Sequence, residues 1–280
     1  MRADPSPVGS AGAHVLPPAV SALNLRGALE RQRPRGVRVL DTAIAGLRRA
    51  RRRLAGGAGG EGPPGGYGAL WRPGDEEQAR RAILNESDPD AFERAGREDA
   101  ERLAPLLSSD AVVMDLGCGI GRVARYVAPS CRTVWAVDAS EVMLGHARRR
   151  LAGAGDVRFA RSDGTSVPAI PDDAIDVAYS LLTLQHLERE DAFALLRDLR
   201  RMLRPGGRTY LTFPNILSDT YLDAFLAYVD GGEVANPARA RFYTPQEVER
   251  IVSAAGFGVE RLDAGVEIVV VCGDAPEPAG

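Results

Sequence analysis

From Ala111 onward, short apolar runs alternate with stretches whose apolar positions recur at helical spacing. The runs at 111–115, 133–138, 157–161, 175–180 and 207–213 predict strands. Helical spacing between them predicts helices at 121–128, 140–152 and 188–203. Strands alternating with helices argue for a parallel sheet with helices on both faces. The chain ends on a different pattern. YTPQEVERIVSAAGF (243–257) predicts a helix with Thr244 as N-cap and Pro245 at its first position. The strands FGVERL and VEIVVVCG follow closely enough to pair antiparallel.

Before the first strand, residues 75–84 predict a short helix. Asp90 is placed to cap the next one, AFERAGREDAERLAPLL, with Phe92, Ala95, Leu103, Leu106 and Leu107 facing inward. Residues 1–36, rich in Pro, Gly, Ala and Ser, are expected to be disordered. Residues 37–54 place Val37, Leu40, Ile44, Leu47 and Leu54 on one helical face, and Arg48, Arg49, Arg51, Arg52 and Arg53 crowd the end. Such a basic amphipathic helix suits an anionic lipid surface, an acidic partner or packing on its own fold. AGGAGGEGPPGG (55–66) is a linker by composition, so one domain, 67–280, is expected to follow the extension 1–66. Residues 67–96, with Tyr67, Trp71 and Phe92, form a helical cap. The insertion 215–242 places Tyr221, Phe225, Tyr228 and Phe242 at near-helical spacing, as an internal core or as a lid.

Composition narrows the class. The chain has 280 residues and a net charge of −3, which argues against a general nucleic-acid binder. No apolar run reaches the roughly 18 residues that a membrane span needs. The start lacks the pattern of a secretory signal. Cys118, Cys131 and Cys272 have neither metal-ligand nor disulfide-framework spacing, which suits a reducing cytoplasm and no bound metal. All 35 basic residues are Arg, which reads as composition bias and not as function.

The candidate chemistry starts at AVVMDLGCGIGR (111–122). A buried strand ends at Asp115, and Gly117, Gly119 and Gly121 follow before a helix opens. Glycines there permit positive φ and close approach of a ligand to the backbone, and the helix start attracts an anion. The spacing is GxGxG, not the GxGxxG of dinucleotide sites. TVWAVDAS then ends a strand at Asp138, whose carboxylate suits a ribose diol, whether the ligand is a nicotinamide dinucleotide or another nucleoside. Ala139 adjoins it, Ser140 caps the next helix, and Met143 one turn on suits either core packing or an adenine face. Cys118 reads as packing within the loop.

DLGCGIGR resembles the first motif of the class I S-adenosylmethionine-dependent methyltransferases. The resemblance extends over about residues 90–273, through Asp138, RFARSDGTS, IDVAYSLLTLQHL, RMLRPGGRTYLTFP and the final helix and strand. It implies a Rossmann-like, seven-stranded, mostly parallel α/β sheet with an antiparallel C-terminal hairpin, and S-adenosylmethionine as cofactor. The glycine loop would wrap the methionine part. Asp163 would bond the exocyclic amine of adenine, the backbone after it (Gly164) would reach a ring nitrogen, and Ser180, Leu181 and Leu182 would lie beside the methionine. Arg97, in GREDA, and Arg122 are the candidate partners of the cofactor carboxylate. The family's adenine and glutamine-amide methylating members carry Asn/Asp-Pro-Pro-aromatic where this chain has Ser180-Leu181-Leu182-Thr183, and its cytosine enzymes carry Pro-Cys. Both chemistries are disfavoured, and the resemblance implies transfer to an oxygen or nitrogen of a small molecule.

Transfer from a sulfonium needs mainly alignment, and a base only where the nucleophile must lose a proton. His186, just past the fourth strand, is the candidate base, or a cap for the next helix. Three rival readings remain: a nicotinamide-dependent oxidoreductase, a non-catalytic member that binds the cofactor or a partner, and an RNA methylase using the Arg-rich extension for phosphate contacts.

Overall fold

The computed structural model describes residues 63, 65–232 and 235–275. The expected disordered segment 1–36, the basic helix 37–54 and nearly all of the linker 55–66 lie outside the described residues. Seven strands form one sheet in the order β3-β2-β1-β4-β5-β7-β6. They are β1 (Val112–Leu116), β2 (Thr133–Asp138), β3 (Val157–Arg161), β4 (Ile175–Ser180), β5 (Leu203–Pro214), β6 (Phe257–Ala264) and β7 (Glu267–Asp274). The first five are parallel, and β7 enters antiparallel between β5 and β6. β1 is buried at every position, as its unbroken apolar run requires of a strand covered on both faces.

Seven helices are described: α1 (Glu76–Leu84), α2 (Pro89–Leu103), α3 (Ala124–Val127), α4 (Glu141–Arg150), α5 (Arg189–Met202), α6 (Asp219–Asp230) and α7 (Pro245–Ala254). Alternate residues of the strands feed two cores. One joins Met114, Leu116, Ala178, Leu211 and Phe213 to α5 and α7. The other joins Val113, Tyr179 and Tyr210 to α2, α3 and α4. That two-sided burial is what the period of two along each strand produces.

Local chemistry sets the ends of the elements. The N-cap of α2 is Asp88, not Asp90: Pro89 occupies the first helical position, and the Asp88 carboxylate accepts from Asp90 N. Pro has no N–H to leave unpaired there, so the cap falls one residue earlier than its acidic neighbour suggested. Pro105 likewise stops α2, which finishes in a 3-10 turn at Ala104–Leu106. Ser140 and Thr244 cap α4 and α7 through the N–H groups of Met143 and Glu247, and Pro245 opens α7, as expected. Pro205-Gly206-Gly207 does not end α5, which stops at Met202. Instead it bulges out of β5, where pairing with β4 jumps from Ile175–Leu203 to Val177–Arg208 and Gly206 takes φ 78°. α3 begins three residues later than the expected helix start, because the glycine loop continues through Val123.

Candidate active site

Parallel strands converge their carboxyl ends on one edge of the sheet, and ligands bind there in open α/β folds. A cavity of about 820 Å³, open to solvent, lies at the ends of β1, β2 and β4. Asp115 and the glycine loop form its floor, Asp138, Ala139 and Met143 one wall, and Leu181, Leu182, Thr183 and His186 another. Tyr67, Trp71 and Ile83 reach in from the N-terminal cap.

The loop is anchored on β2 at its start. The N–H groups of Gly117 and Cys118 both donate to Val137 O, at 2.7 and 2.8 Å. Gly117 and Gly119 take φ of 86° and 53°. A Cβ on Gly117 would lie 2.0 Å from Thr183 Oγ1, and one on Gly119 2.8 Å from Ile83 Cδ1. Position 117 therefore needs glycine for both conformation and space, and position 119 for conformation, since only the mobile end of Ile83 stands in the way there. Cys118 is buried, and that burial raises its thiol well above the ordinary range, which fits packing and not nucleophilic work.

Asp138 accepts one backbone N–H on each carboxylate oxygen, Gly119 N at 2.9 Å and Ser140 N at 2.8 Å. A carboxylate has about four lone-pair positions, so two remain for a ligand diol. Asp115 is buried, and burial pushes its carboxyl up to about 7. A cavity with one anchored carboxylate and one buried, titratable carboxyl suits a ligand that carries a ribose and a positive charge. That is the composition of the adenosyl sulfonium cofactor, so the residues present fit it.

Other expected site residues are held by protein partners or lie outside the cavity lining. Arg122 is buried and lines the cavity, and its Nη1 lies 2.7 Å from Asp99 Oδ2, so the guanidinium is held as part of an ion pair. Arg97 does not line it: the side chain is exposed and stacks over the Tyr126 ring at 5.3 Å. Asp163 is exposed and spends its carboxylate inside its own turn, accepting from the backbone N–H and hydroxyl of both Thr165 and Ser166. The Gly164 N–H donates to Ser162 Oγ, and the Tyr67 ring covers the residue so closely that a Cβ there would lie 2.2 Å from Tyr67 Cδ2. Ser180 is fully buried and donates to Leu116 O at 2.8 Å, which ties β4 to β1. Gly121 turns the loop at φ 82° and faces Leu151, not the cavity. In this arrangement the Asp163 carboxylate, the Gly164 N–H and the Ser180 hydroxyl each have a protein partner.

His186 lines the cavity but is already engaged. Its Nδ1 donates to Ala238 O at 2.8 Å, and its Nε2 lies 3.2 Å from Gln185 Nε2. The Trp71 ring meets it edge-on, with centroids 4.8 Å apart. Burial lowers its titration to about 4, so the imidazole is neutral at neutral pH.

Leu182, expected beside the methionine, lines the cavity together with Thr183, for which the sequence reading has no role. Leu182 holds φ 56°, a conformation rare for a non-glycine residue, and donates its N–H to Thr212 Oγ1. Nothing in the local sequence signals that backbone. Tyr221, Phe225 and Tyr228 do not line the cavity: their rings gather on Phe242, at centroid distances of 5.9, 6.0 and 5.9 Å. Phe92 is also internal, packed with Ala79, Ile120 and Met143.

Comparison with known proteins identifies the chain's relatives. A family model described as a methyltransferase domain matches residues 113–207. The chain is 30% identical over 196 residues to methyltransferase GfsG of Streptomyces halstedii, covering 68% of this chain and 69% of that one. It is 35% identical over 120 residues to a malonyl-[acyl-carrier protein] O-methyltransferase of Pectobacterium atrosepticum, covering 42% of this chain and 45% of the relative. The chain spans about half the length of several curated relatives that it matches. The crystal structure of a SAM-dependent methyltransferase from Aquifex aeolicus superposes with a TM-score of 0.52 at 20% identity, covering 69% of this chain and 97% of that one, which establishes likeness of fold.

Proposed function

The chain belongs to the class I S-adenosylmethionine-dependent methyltransferases, and from that premise we propose that it methylates an oxygen or nitrogen of a small-molecule acceptor. One observation carries the reading: Asp115, the Gly117–Gly119 backbone, Asp138 and Leu181 line a single cavity at the carboxyl ends of β1, β2 and β4. When bound, S-adenosylmethionine supplies a methyl group already activated on a sulfonium. The work left to the protein is to hold, orient and shield.

In this reading Asp138 receives the ribose diol, with Ala139 beside it and Met143 against the base. Gly117, Cys118 and Gly119 cradle the amino-acid end, with Asp115 and Arg122 as the charges nearest to it. Leu181 and Leu182 keep water from the reacting side. His186 stands at the acceptor side as a neutral imidazole. A group that titrates near 4 is a weak base at neutral pH. The site therefore suits an acceptor that needs little help in losing a proton, such as an acidic hydroxyl or a free amine.

Isothermal titration with S-adenosylmethionine, S-adenosylhomocysteine and NAD, run in parallel on the purified protein, tests the assignment. The two adenosyl compounds are expected to bind and NAD is not. Binding of NAD alone would overturn the reading in favour of an oxidoreductase. Cofactor binding without transfer to any acceptor would favour a non-catalytic member of the fold.

A further inference from the structure

Residues 236–243 lie against the stretch 185–189 that follows β4. Arg241 N donates to Gln185 O at 2.7 Å. Asn236 shapes the turn before it, its Oδ1 accepting from Ala238 N at 2.9 Å and its carbonyl from Arg239 N at 3.1 Å. Arg189 ties down the far end, donating to Phe242 O at 2.8 Å and to Glu247 Oε1 at 2.6 Å.

Between these anchors sits a buried guanidinium. Only 5% of the Arg241 side chain is exposed. Its Nη1 shares its two N–H groups among three carbonyls, His186 O at 3.1 Å, Pro237 O at 3.0 Å and Arg239 O at 2.7 Å. Its Nη2 donates to Glu188 Oε1, so the charge is paired. Two of the carbonyls bracket one position. Pro237 O and Arg239 O turn to the guanidinium, and Ala238 O, between them, turns to His186 Nδ1 at 2.8 Å. A carbonyl only accepts, so Nδ1 carries the ring proton and Nε2 holds the lone pair. Gln185 Nε2 is the donor at that nitrogen, 3.2 Å away. An unanchored neutral imidazole prefers its proton on Nε2, so the opposite tautomer has to be held in place. One backbone bond does that only where the carbonyl itself is fixed, and Arg241 fixes this one from both sides.

We propose that Arg241 is a positioning residue for the transfer reaction: it sets the Ala238 carbonyl against His186 and so keeps Nε2 as the accepting nitrogen of the cavity-lining ring. This inference rests on the methyl-transfer reading and narrows its acceptor. A ring that accepts and does not donate favours a nucleophile bearing an O–H or N–H, which takes the place of the Gln185 amide. Lysine cannot stand in for Arg241. An ammonium is a point charge, whereas the planar fork meets carbonyls and a carboxylate together.

Long-range 1H–15N spectra of the full chain, recorded above neutral pH, show which ring nitrogen of each histidine is protonated. The chain has three histidines, and the signal that disappears in His186→Asn is that of His186. In the wild type it is expected as the Nδ1–H form alone. Arg241→Met and Arg241→Lys should each turn most of the population to the Nε2–H form, with cooperative urea unfolding as the check that the variant is folded. A second measurement needs no substitution at Arg241: its Nη protons should give separate signals, since a caged guanidinium rotates slowly. A wild-type ring protonated on Nε2, an Nδ1–H form that persists in either folded variant, or freely averaged Nη signals overturns the proposal. S-adenosylhomocysteine is titrated alongside. Its failure to bind would sink the methyl-transfer reading, whereas the ring and guanidinium spectra decide the role of Arg241 by themselves.

Discussion

Asp138 holds one backbone N–H on each carboxylate oxygen, which fixes the plane that it turns toward the cavity. Replacing it with Ala removes the ribose acceptor and frees Gly119 N, so S-adenosylmethionine affinity should fall at least about tenfold, near the cost of one charge-assisted hydrogen bond. Unchanged affinity in calorimetry would remove the ribose assignment. Asp115 makes a second prediction. Burial pushes its carboxyl up to about 7, so the free protein is part-protonated there at neutral pH. A cationic ligand in the cavity favours the carboxylate and expels protons. Titrations at pH 7 in two buffers of different ionisation enthalpy should show net proton release on binding S-adenosylmethionine, and Asp115→Asn should abolish it. Both residues were legible in the sequence because they end buried strands, where backbone geometry dictates position. The local partners of Asp163 and Arg97 were not legible: Thr165 and Ser166 for one, the Tyr126 ring for the other.

Among the elements, the segment at Tyr67–Trp71 does more than cap the fold. Tyr67 donates to Asp191 Oδ2 at 2.6 Å, accepts from Glu188 N at 3.0 Å and presses on Gly164. Gly68 passes so close to β2 that a Cβ would lie 2.2 Å from Ala139 O. Ser140 Oγ donates to Trp71 O, so the cap of α4 also holds this segment. Tyr67→Phe keeps the ring but strands the buried Asp191 carboxyl and the Glu188 N–H, at a cost of about 1–3 kcal/mol. Urea unfolding should show a lower midpoint with an unchanged slope, and an unmoved midpoint would mean that the segment is not pinned through this hydroxyl. Apolar periodicity and capping residues showed the order of strands and helices, including the closing hairpin. They could not show which surface Tyr67 and Trp71 would cover, because that contact joins residues more than a hundred positions apart. The aromatic spacing of α6 was visible, yet its target, Phe242, depends on where the connection after β5 returns.

At the scale of the molecule, the two titrations beside the cavity pull stability in opposite directions. His186 titrates at about 4 in the folded protein against 6.5 for the free side chain. The unfolded chain therefore binds more protons between these values, and the contribution of His186 is full above 6.5 and lost as pH falls toward 4. Asp115 is raised from 3.8 to about 7, so the folded chain binds the extra proton, and its contribution is full below 3.8 and lost as pH rises through 7. These amount to at most about 3 kcal/mol for His186 and about 4–5 kcal/mol for Asp115. The windows overlap, so the two slopes offset each other across the mildly acidic range. Single substitutions separate them. The stability gap between wild type and His186→Asn should move in favour of wild type by up to about 3 kcal/mol from pH 4 to 6.5, and the gap to Asp115→Asn should move the other way between 3.8 and 7. Denaturant unfolding at several pH values measures both gaps. Parallel shifts of the same sign would mean that one of these groups is not held in the state its burial imposes, and that the cavity is wetter than its lining implies.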